Sequence, residues 1–432
     1  MLIDEIVKIF EKITSIPHCS GETSKLKEFI RSFVSDHGYS LKEDEAGNLM
    51  AYGMEAKITL QAHYDMVCIG TAPRIETVVE GGWMRAKGSS LGADNGMGVA
   101  MMLYLVQKRA KCDFLFTNDE EIGLIGAASL GLDIRTPYLL NLDTEEEGKV
   151  YIGCAGGEDI YLDKEARYFK PQRSGKFYRI ESKAPGGHSG VNIAENIPNA
   201  ITELASQIVK NETMQIVSIE GGERINAIPS RAEAYVWMPE GHDPRIDSQN
   251  LSINESRDSG MYLLAEGREL AKALFGFAHG VRGWNMELDL PQSSVNLAGI
   301  SMKKGKIDIA LSARAMSKDD LSRLVEQCAA AWEALGFESR REGKYPAWKP
   351  KINEFSKTVL KACREVFPDA SYAAIHAGLE CALFFERYPE LKIASIGPTI
   401  LDPHSKRERV DLRSVERVMK VVESLVADLS TV

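Results

Sequence analysis

Short apolar runs alternate with amphipathic segments in the first third of the chain. Apolar residues that recur every three to four positions predict helices, whereas short, nearly continuous apolar runs predict buried strands. Strands and helices that alternate in this way are typical of an α/β domain whose sheet is covered on both faces. The predicted elements are helices 2–14 and 24–37, an extended pair over 40–51, strand 57–62, helix 95–109, strand 113–117, a helix near 123–131 and strand 138–142.

The pattern changes after residue 157, where polar and apolar positions alternate more clearly, and the α/β pattern returns from residue 353. We therefore predict a discontinuous catalytic domain, residues 1–155 and 348–432, with a mainly parallel or mixed sheet covered by helices. Residues 156–347 are predicted to form an inserted α+β lid domain. Its predicted elements are strands 159–165, 176–183, 214–220, 230–238, 283–300 and 306–314 and helices 196–210, 258–276 and 317–335.

Composition narrows the class of protein. The chain has 432 residues, 44% of them hydrophobic and 26% charged, which is typical of a globular protein of two or three domains. The net charge of −10 and the lack of a Lys/Arg-rich block argue against a nucleic-acid partner. No apolar run reaches the roughly 18–20 residues of a membrane span, and the N-terminal segment does not resemble a secretory signal.

The seven cysteines are odd in number and scattered, without a C-x-x-C pair. This distribution predicts reduced thiols and a cytoplasmic location, and it argues against both a disulfide framework and a cysteine zinc site.

Acidic and histidine side chains gather where the apolar strands end. In α/β sheets, sites form beyond the carboxyl ends of the strands, so we expect these side chains to lie together. Like charges repel strongly in a poorly solvated site, and divalent cations relieve that repulsion. The side chains are His63 and Asp65 after strand 57–62, Glu120 and Glu121 after strand 113–117, Asp143 after strand 138–142, and Asp94 in a glycine-flanked turn between the first two strands.

Each residue also has an ordinary interpretation on its own. His63 and His376 fit structural histidines, Asp94 fits a helix N-cap, and Glu120 with Glu121 fits a solvated loop. Two histidines with three or four carboxylates and no cysteine instead favour two zinc-like ions that share a carboxylate. A free carboxylate beside such ions suits hydrolysis, because it accepts a proton from water.

Several motifs resemble those of the M20 metallopeptidases, and most closely those of the aminoacyl-histidine (Xaa-His or β-alanyl-histidine) dipeptidase branch. They occur in family order over nearly the whole chain, from about residue 16 to residue 411, although the stretch at 66–90 is shorter than in typical members of the branch. The motifs are His63–Val67, Leu91–Gly96, Asp119–Gly123, Asn141–Gly148, Gly153–Gly157, Gly186–Gly190, Asn226–Pro229, His376–Cys381, Gly397–Ile400 and Pro403–Ser405.

The resemblance implies a role for each residue that matches a family motif. Asp119 and Glu145–Glu147 are left as bystanders. The implied roles are Asp94 as bridging ligand, His63 and Asp143 on one metal, Glu121 and His376 on the other, Glu120 as general base, Asp65 as the residue that orients His63, His188 on the substrate carbonyl, Asn226 in substrate binding, and His404 near the site.

These roles predict a di-metal hydrolase that cleaves short unblocked peptides of the Xaa-His type by metal-activated water with a Glu general base. Two Zn²⁺ ions are expected, with Mn²⁺ or Co²⁺ as alternatives. A lid of about 190 residues suits either homodimer contacts or an enlargement that replaces them. The alternatives are a tripeptidase or N-acyl-amino-acid deacylase on the same scaffold, and a non-catalytic binding protein, which would have lost ligands that this chain retains.

Overall fold

A computed structural model describes residues 2–256, 262–303 and 305–430. The chain folds as two compact units. The first consists of Met1–Cys154, Trp348–Ala374 and Leu379–Val432, and the second of Ala155–Ala347 and Ile375–Gly378. The lid role of residues 156–347 stays a prediction. Among the described helices, none has the length and apolar character needed to cross a membrane.

The helices of the first unit lie on a sheet whose central strands are buried along their whole length. Its helices are α1 (Leu2–Thr14), α2 (Ser24–Asp36), α3 (Ala93–Gln107), α4 (Ile125–Ala128), α8 (Glu354–Val366), α9 (Cys381–Arg387) and α10 (Leu412–Ser430). Its strands are β1 (Ser40–Glu43), β2 (Leu49–Tyr52), β3 (Ile58–His63), β4 (Thr77–Glu80), β5 (Trp83–Ala86), β6 (Asp113–Thr117), β7 (Tyr138–Asn141), β8 (Lys149–Cys154), β22 (Ser371–Ile375), β23 (Lys392–Ser395), β24 (Ile400–Leu401) and β25 (Arg409–Asp411).

The main sheet of this unit has the strand order β1-β2-β6-β3-β7-β23-β8-β22. The neighbours β6, β3, β7 and β23 run parallel, whereas β1 with β2, β2 with β6 and β23 with β8 are antiparallel. Every residue of β3 and β6 is buried, because helices cover both faces of a parallel sheet. The predicted α/β fold with a mixed sheet is confirmed, and the parallel strands end at one common edge.

Strands β4 and β5 lie between Asp65 and Asp94, where the sequence predicted no strand, and they belong to a smaller sheet in the order β24-β25-β5-β4. Strands β4 and β5 have only four residues each, which is too few for a period in the hydrophobic pattern to appear. Strand β25 pairs antiparallel with β5, which joins this hairpin to the chain segment that follows His404.

The second unit is built on an antiparallel sheet in the order β16-β11-β15-β13-β19-β20-β9-β21, with β18 paired to β19. Helix α5 packs on β11 and β15, and α7 packs on β9 and β20. Its elements are β9 (Gly156–Glu165), β10 (Tyr168–Phe169), β11 (Gly175–Lys183), β12 (Gly187–His188), α5 (Ala200–Lys210), β13 (Gln215–Gly221), β14 (Ala227–Ile228), β15 (Arg231–Pro239), β16 (Leu251–Ser256), β17 (Leu263–Leu264), α6 (Gly267–Gly276), β18 (Gly280–Asn285), β19 (Leu290–Lys303), β20 (Lys306–Ala315), α7 (Lys318–Glu333) and β21 (Glu338–Tyr345).

The helix predicted at 258–276 is shorter in the structure. Its first part, 258–261, lies outside the described residues, and Leu263–Leu264 form strand β17 instead of helix. The helix itself begins at Gly267, where the amphipathic pattern of buried leucines starts.

The expectation that all cysteines are free thiols is wrong for one pair. Cys19 and Cys68 form a disulfide, with their Cα atoms 5.5 Å apart and a sequence separation of 49. A β-bridge between Cys19 and Met66 aligns the loop after α1 with the segment after β3. Only this tertiary pairing brings the two thiols together, so their spacing carried no signal. The other five cysteines are free and buried.

Candidate metal centre

Side chains from the ends of three parallel strands and from the first turn of α3 converge at one edge of the main sheet. One ligand atom each of His63, Asp94 and Glu121 lies within 4.8 Å of the other two. The His63 Nε2 atom is 3.3 Å from Asp94 Oδ1 and 3.3 Å from Asp143 Oδ1. Four residues that the sequence predicted as metal ligands are therefore neighbours in the fold.

Each of these residues owes its position to a local feature of the chain. His63 is the last residue of the fully buried β3, and Asp143 follows β7 by two positions. Asp94 has extended dihedral angles (φ −84°, ψ 108°) inside the first turn of α3, after Gly92 with a positive φ of 73°. Glycine tolerates that angle without a steric penalty, and the resulting turn departs from helical geometry at Asp94.

Asp65 contacts both the His63 ring and the loop that carries Glu120 and Glu121. Its Oδ1 lies 3.4 Å from His63 Nδ1 and accepts from the backbone N–H of Glu120 at 3.0 Å, and its Oδ2 accepts from the backbone N–H of Glu121 at 3.3 Å. The Ser20 hydroxyl donates to its Oδ2 at 2.8 Å. Burial favours the neutral acid, but the hydrogen bonds from His63, Ser20 and Glu120 hold the pKa of Asp65 below its ordinary value.

His404 completes the cluster within the first unit. Its Nε2 atom lies 3.0 Å from Asp94 Oδ2 and 2.8 Å from Glu121 Oε1. The sequence predicted His376 for this place, but His376 belongs to the second unit, where its Nε2 lies 2.7 Å from Ser294 Oγ. Both histidines occur in family-like motifs, and only the fold shows which of them meets the two carboxylates.

The charges of the cluster change the proton affinities of its members. Burial is the largest influence on Glu121 and Asp143, and the neighbouring Asp94 charge adds to it, so their pKa values rise to about 7 and about 6. Burial opposes protonation of His404, but hydrogen bonds to Asp94 and Glu121 raise its pKa to about 12. A site that retains protons in this way has an excess of negative charge, which suits divalent cations.

Two further glutamates, Glu120 and Glu380, lie near the cluster. Burial, together with the charges of Glu121, Asp143 and Glu380, raises the pKa of Glu120 well above its ordinary value. Glu380, for which the sequence predicted no role, is fully buried and accepts hydrogen bonds from Gln61 Nε2 at 2.6 Å and from Thr117 Oγ1 at 2.7 Å.

Asp119 is not part of the candidate cluster, and its side chain is hydrogen-bonded elsewhere. It accepts from the Gly21 N–H at 2.6 Å and from Asn118 Nδ2 at 2.9 Å. The bystander role of Asp119 beside Glu120 stays a prediction.

A polar cluster of the opposite sign lies in the second unit. The buried Arg314 donates to the Tyr345 hydroxyl, and its Nε has no hydrogen-bond partner among the described residues. Burial is the main cause that lowers the pKa of His376 to about 3, and the Arg314 charge lowers it further. No carboxylate of the described residues forms an ion pair with Arg314. The sequence reasoning overlooked this arginine because no motif contains it.

His188 and Asn226 are neighbours in the second unit, since β12 pairs with β14 and the Ser189 N–H donates to the Asn226 carbonyl at 2.9 Å. The His188 Nδ1 accepts from the N–H groups of Gly190 (3.2 Å) and Val191 (3.1 Å). Because Nδ1 accepts, the proton of the neutral ring is on Nε2, which can donate to an oxygen atom.

A family model for peptidase family M20/M25/M40 matches residues 59–428. The chain belongs to this family. The prediction of a hydrolase of the M20 type is thereby confirmed, and the fold described above is the fold of the family.

Two well-covered relatives are similar to the chain over nearly its full length. The cytosol non-specific dipeptidase of Escherichia coli is 30% identical, over 98% of this chain and 96% of the relative. The crystal structure of aminoacylhistidine dipeptidase from Vibrio alginolyticus has 28% identity and a TM-score of 0.77, over 97% of this chain and 96% of that structure. A tripeptidase from Staphylococcus aureus shares the fold at 16% identity, with a TM-score of 0.62 over 100% and 99% of the two chains.

Proposed function

We propose that the protein is a dipeptidase that hydrolyses unblocked dipeptides with the aid of two divalent cations, zinc in the first place. The observation that carries the proposal is the convergence of His63, Asp94, Glu121 and His404 at one edge of the sheet. Relatives named as dipeptidases, similar over nearly the whole chain, support the substrate class.

The donor set fits the proposed metals. Imidazole and carboxylate ligands without cysteine suit zinc, manganese or cobalt in a hydrolytic site. We assign His63 and Asp143 to one cation and Glu121 and His404 to the other, with Asp94 shared between them. His404 thus takes the role that the sequence had given to His376. When bound, the cations lower the pKa of water and polarise the peptide carbonyl group.

Glu120 is the proposed general base. Burial and neighbouring acids increase the proton affinity of its carboxylate, which lets it take a proton from the attacking water and pass it to the leaving amine. Its backbone N–H donates to Asp65, so the residue that orients His63 also holds the loop of the base. A single carboxylate therefore couples the positions of a ligand and the base.

The second unit supplies substrate recognition in this proposal. A buried guanidinium without a carboxylate partner fits the free carboxylate at the C-terminus of a dipeptide, so we assign that contact to Arg314. His188, whose Nε2 carries the ring proton, is assigned to the carbonyl oxygen of the scissile bond, and Asn226 beside it to substrate binding.

Hydrolysis rates on matched substrates test the proposal. The metal-free protein would be reconstituted separately with Zn²⁺, Mn²⁺ and Co²⁺ and given Ala-Ala, β-Ala-His, Ala-Ala-Ala, N-acetyl-Ala-Ala and N-acetyl-Ala. We expect unblocked dipeptides to be cleaved at least about 100-fold more efficiently than the acetylated compounds.

A preference for N-acetyl-Ala would identify a deacylase instead, and a preference for Ala-Ala-Ala would identify a tripeptidase. The ratio of Ala-Ala to β-Ala-His measures how strongly the enzyme requires a C-terminal histidine. Protein that takes up no metal and cleaves nothing would favour a non-catalytic binding role.

We also propose a cytoplasmic location, which the name of the Escherichia coli relative supports. The Cys19–Cys68 disulfide points the other way, because disulfides are rare in reducing compartments. Alkylation of thiols during cell lysis, followed by mass spectrometry, shows whether Cys19 and Cys68 are reduced or disulfide-bonded in the cell. Alkylation of both Cys19 and Cys68 supports the cytoplasmic location, whereas a protected pair contradicts it.

A further inference from the structure

A buried carboxylate that is not one of the candidate metal ligands lies next to the backbone of the candidate bridging ligand. Glu408 is 2% exposed and accepts hydrogen bonds from four successive backbone N–H groups. Its Oε2 accepts from Leu91 at 2.7 Å and Gly92 at 3.1 Å, and its Oε1 accepts from Ala93 at 2.7 Å and Asp94 at 3.3 Å. Among the described residues no cationic side chain forms an ion pair with Glu408.

The four N–H groups have few other ways to be satisfied. The first N–H groups of a helix lack intrahelical partners, and a buried one that stays unpaired costs on the order of 1–3 kcal/mol. Converging N–H groups at a helix N-terminus form a concavity that favours an anion. The carboxylate of Glu408 therefore holds the turn in the one arrangement that directs all four groups toward it.

That arrangement also decides where the Asp94 carboxylate is placed. Asp94 leaves helical geometry within this turn, and its two oxygens reach His63 on one side and His404 on the other, at 3.3 and 3.0 Å. A rotation of the turn would move both oxygens, because the carboxylate is only two bonds away from the backbone.

Glu408 belongs to the same chain segment as His404. The turn that carries His404 is partly exposed, with the His404 side chain 47% exposed and its φ at 53°. The N–H of Glu408 closes this turn by donating to the Ser405 carbonyl at 3.3 Å, and strand β25 begins at the next residue and pairs with β5. The buried Glu408 therefore connects, through its hydrogen bonds, the turn that carries His404 with the turn that carries Asp94.

We propose that Glu408 is a positioning residue that sets the metal affinity of the site by fixing Asp94 and His404 relative to each other. The inference rests on the proposed metal centre. An amide at this position would direct an N–H₂ group at two N–H donors whichever way it is turned, so the charge-neutral isostere cannot make the same four contacts. Partners that orient metal ligands typically change metal affinity by 10- to 100-fold when they are replaced.

Metal titrations of the metal-free protein test the proposal. Co²⁺ would be added to wild type, Glu408→Gln and Glu408→Asp, with affinity measured by calorimetry and ligand geometry by the visible absorption of bound Co²⁺. For E408Q we expect affinity for at least one Co²⁺ equivalent to fall about 10- to 100-fold, with a changed spectrum. E408D keeps the charge with a shorter reach, so we expect it to recover part of the affinity.

Asp113→Asn is the matched control. Asp113 is a fully buried carboxylate that accepts from the Gly53 N–H at 2.8 Å and pairs with Arg135, but it lies at the start of β6, the end opposite the candidate ligands. We expect D113N to lower the unfolding temperature while leaving Co²⁺ affinity and spectrum unchanged.

Wild-type affinity and spectrum in E408Q would overturn the proposal, and so would an equal loss of affinity in D113N. If E408Q does not fold, E408D decides: unchanged affinity and spectrum contradict the positioning role, and a partial loss supports it. Wild-type protein that binds two Co²⁺ but cleaves no dipeptide would refute the proposed function alone, because the titration still measures the effect of Glu408.

Discussion

Two histidines of this chain show how much the surroundings of a side chain decide its chemistry. His404 lies between the carboxylates of Asp94 and Glu121, and those contacts raise its pKa to about 12. His376 is buried beside Arg314 and the Ser294 hydroxyl, where burial and the arginine charge lower its pKa to about 3. The surroundings of His404 are acidic, whereas His376 stays neutral beside a positive charge.

The same contrast holds for the two polar clusters as a whole. The edge of the first unit collects carboxylates at the ends of parallel strands, and the cluster of the second unit contains a buried arginine without a carboxylate partner among the described residues. We infer that the reaction is carried out by groups of the first cluster and that the substrate carboxylate is bound by the second. Substitutions in the first cluster should therefore change kcat or metal binding, whereas substitution of Arg314 in the second should mainly change KM.

The largest effect is expected from Glu120→Gln. Loss of the general base should lower kcat by about 10²–10⁴-fold, while both metal equivalents remain bound, because the base is not a ligand. Steady-state kinetics and elemental analysis of the same preparation measure the two quantities. Asp119→Asn is the control, since the Asp119 side chain accepts from Gly21 and Asn118 and the variant should keep activity within a few-fold. Near-wild-type turnover in E120Q would refute the assignment of the base.

Separate substitutions of His404 and His376 test which of the two histidines binds metal. His404→Ala should weaken at least one metal equivalent by about 100-fold or more, since it removes a donor that contacts two carboxylates. His376→Ala should retain both equivalents. Metal content after dialysis against a weak chelator distinguishes the two variants. Metal loss in H376A with normal metal content in H404A would restore the ligand assignment made from the sequence.

Arg314→Met should affect recognition and leave the metals in place. Loss of a charge-assisted hydrogen bond to the substrate carboxylate costs about 1.5–3 kcal/mol, so kcat/KM should fall by about 10- to 100-fold, mainly through KM. A dipeptide amide lacks that carboxylate and should be cleaved equally by wild type and variant. Arg340→Met, at an exposed arginine of the same unit, is the control. An equal loss on the amide would show that Arg314 does not bind the carboxylate.

The smallest effect is expected from the dependence of stability and metal affinity on pH. Glu121 and Asp143, with pKa values raised to about 7 and about 6, bind protons in the metal-free folded protein between their ordinary pKa and these values. Their contribution to stability is therefore present at low pH and is lost as the pH rises toward 7. Metal ions must displace these protons, so apparent metal affinity should fall about tenfold per pH unit for each displaced proton below pH 7.

Calorimetric titrations at pH 5.5, 6.5 and 7.5, in buffers of different ionisation enthalpy, measure the number of protons released. An affinity that is the same at all three values would contradict the electrostatic description of the first cluster. A pH dependence confined to H404A, and absent from wild type, would contradict it as well.

The strand-end pattern predicted much of the first cluster correctly because parallel strands have a simple geometry. Their carboxyl ends meet at one edge, so His63, Glu121 and Asp143 were expected to be neighbours from their positions after apolar runs, and the structure brings them to that edge. Asp94 was predicted from its glycine-flanked turn. The hairpin of β4 and β5 had no such signal, because strands of four residues offer too few positions for a period to appear.

Two features depended on contacts between distant segments. Cys19 meets Cys68 only because the loop after α1 lies beside the segment after β3. His404 meets Asp94 only because β25 pairs with β5 and Glu408 binds the turn before α3. These tertiary contacts depend on how the loops pack, and the spacing of residues along the chain does not predict loop packing.

The sequence by itself determined the α/β fold, the family and the residue types of a metal-dependent hydrolase, because periodicity and strand-end chemistry are local properties. The tertiary structure decided which histidine joins the carboxylates, which cysteines pair and which buried glutamate supports the site. The physical reason is that charge and hydrogen bonding act over a few ångströms in space, whereas these partners lie tens to hundreds of positions apart in the chain.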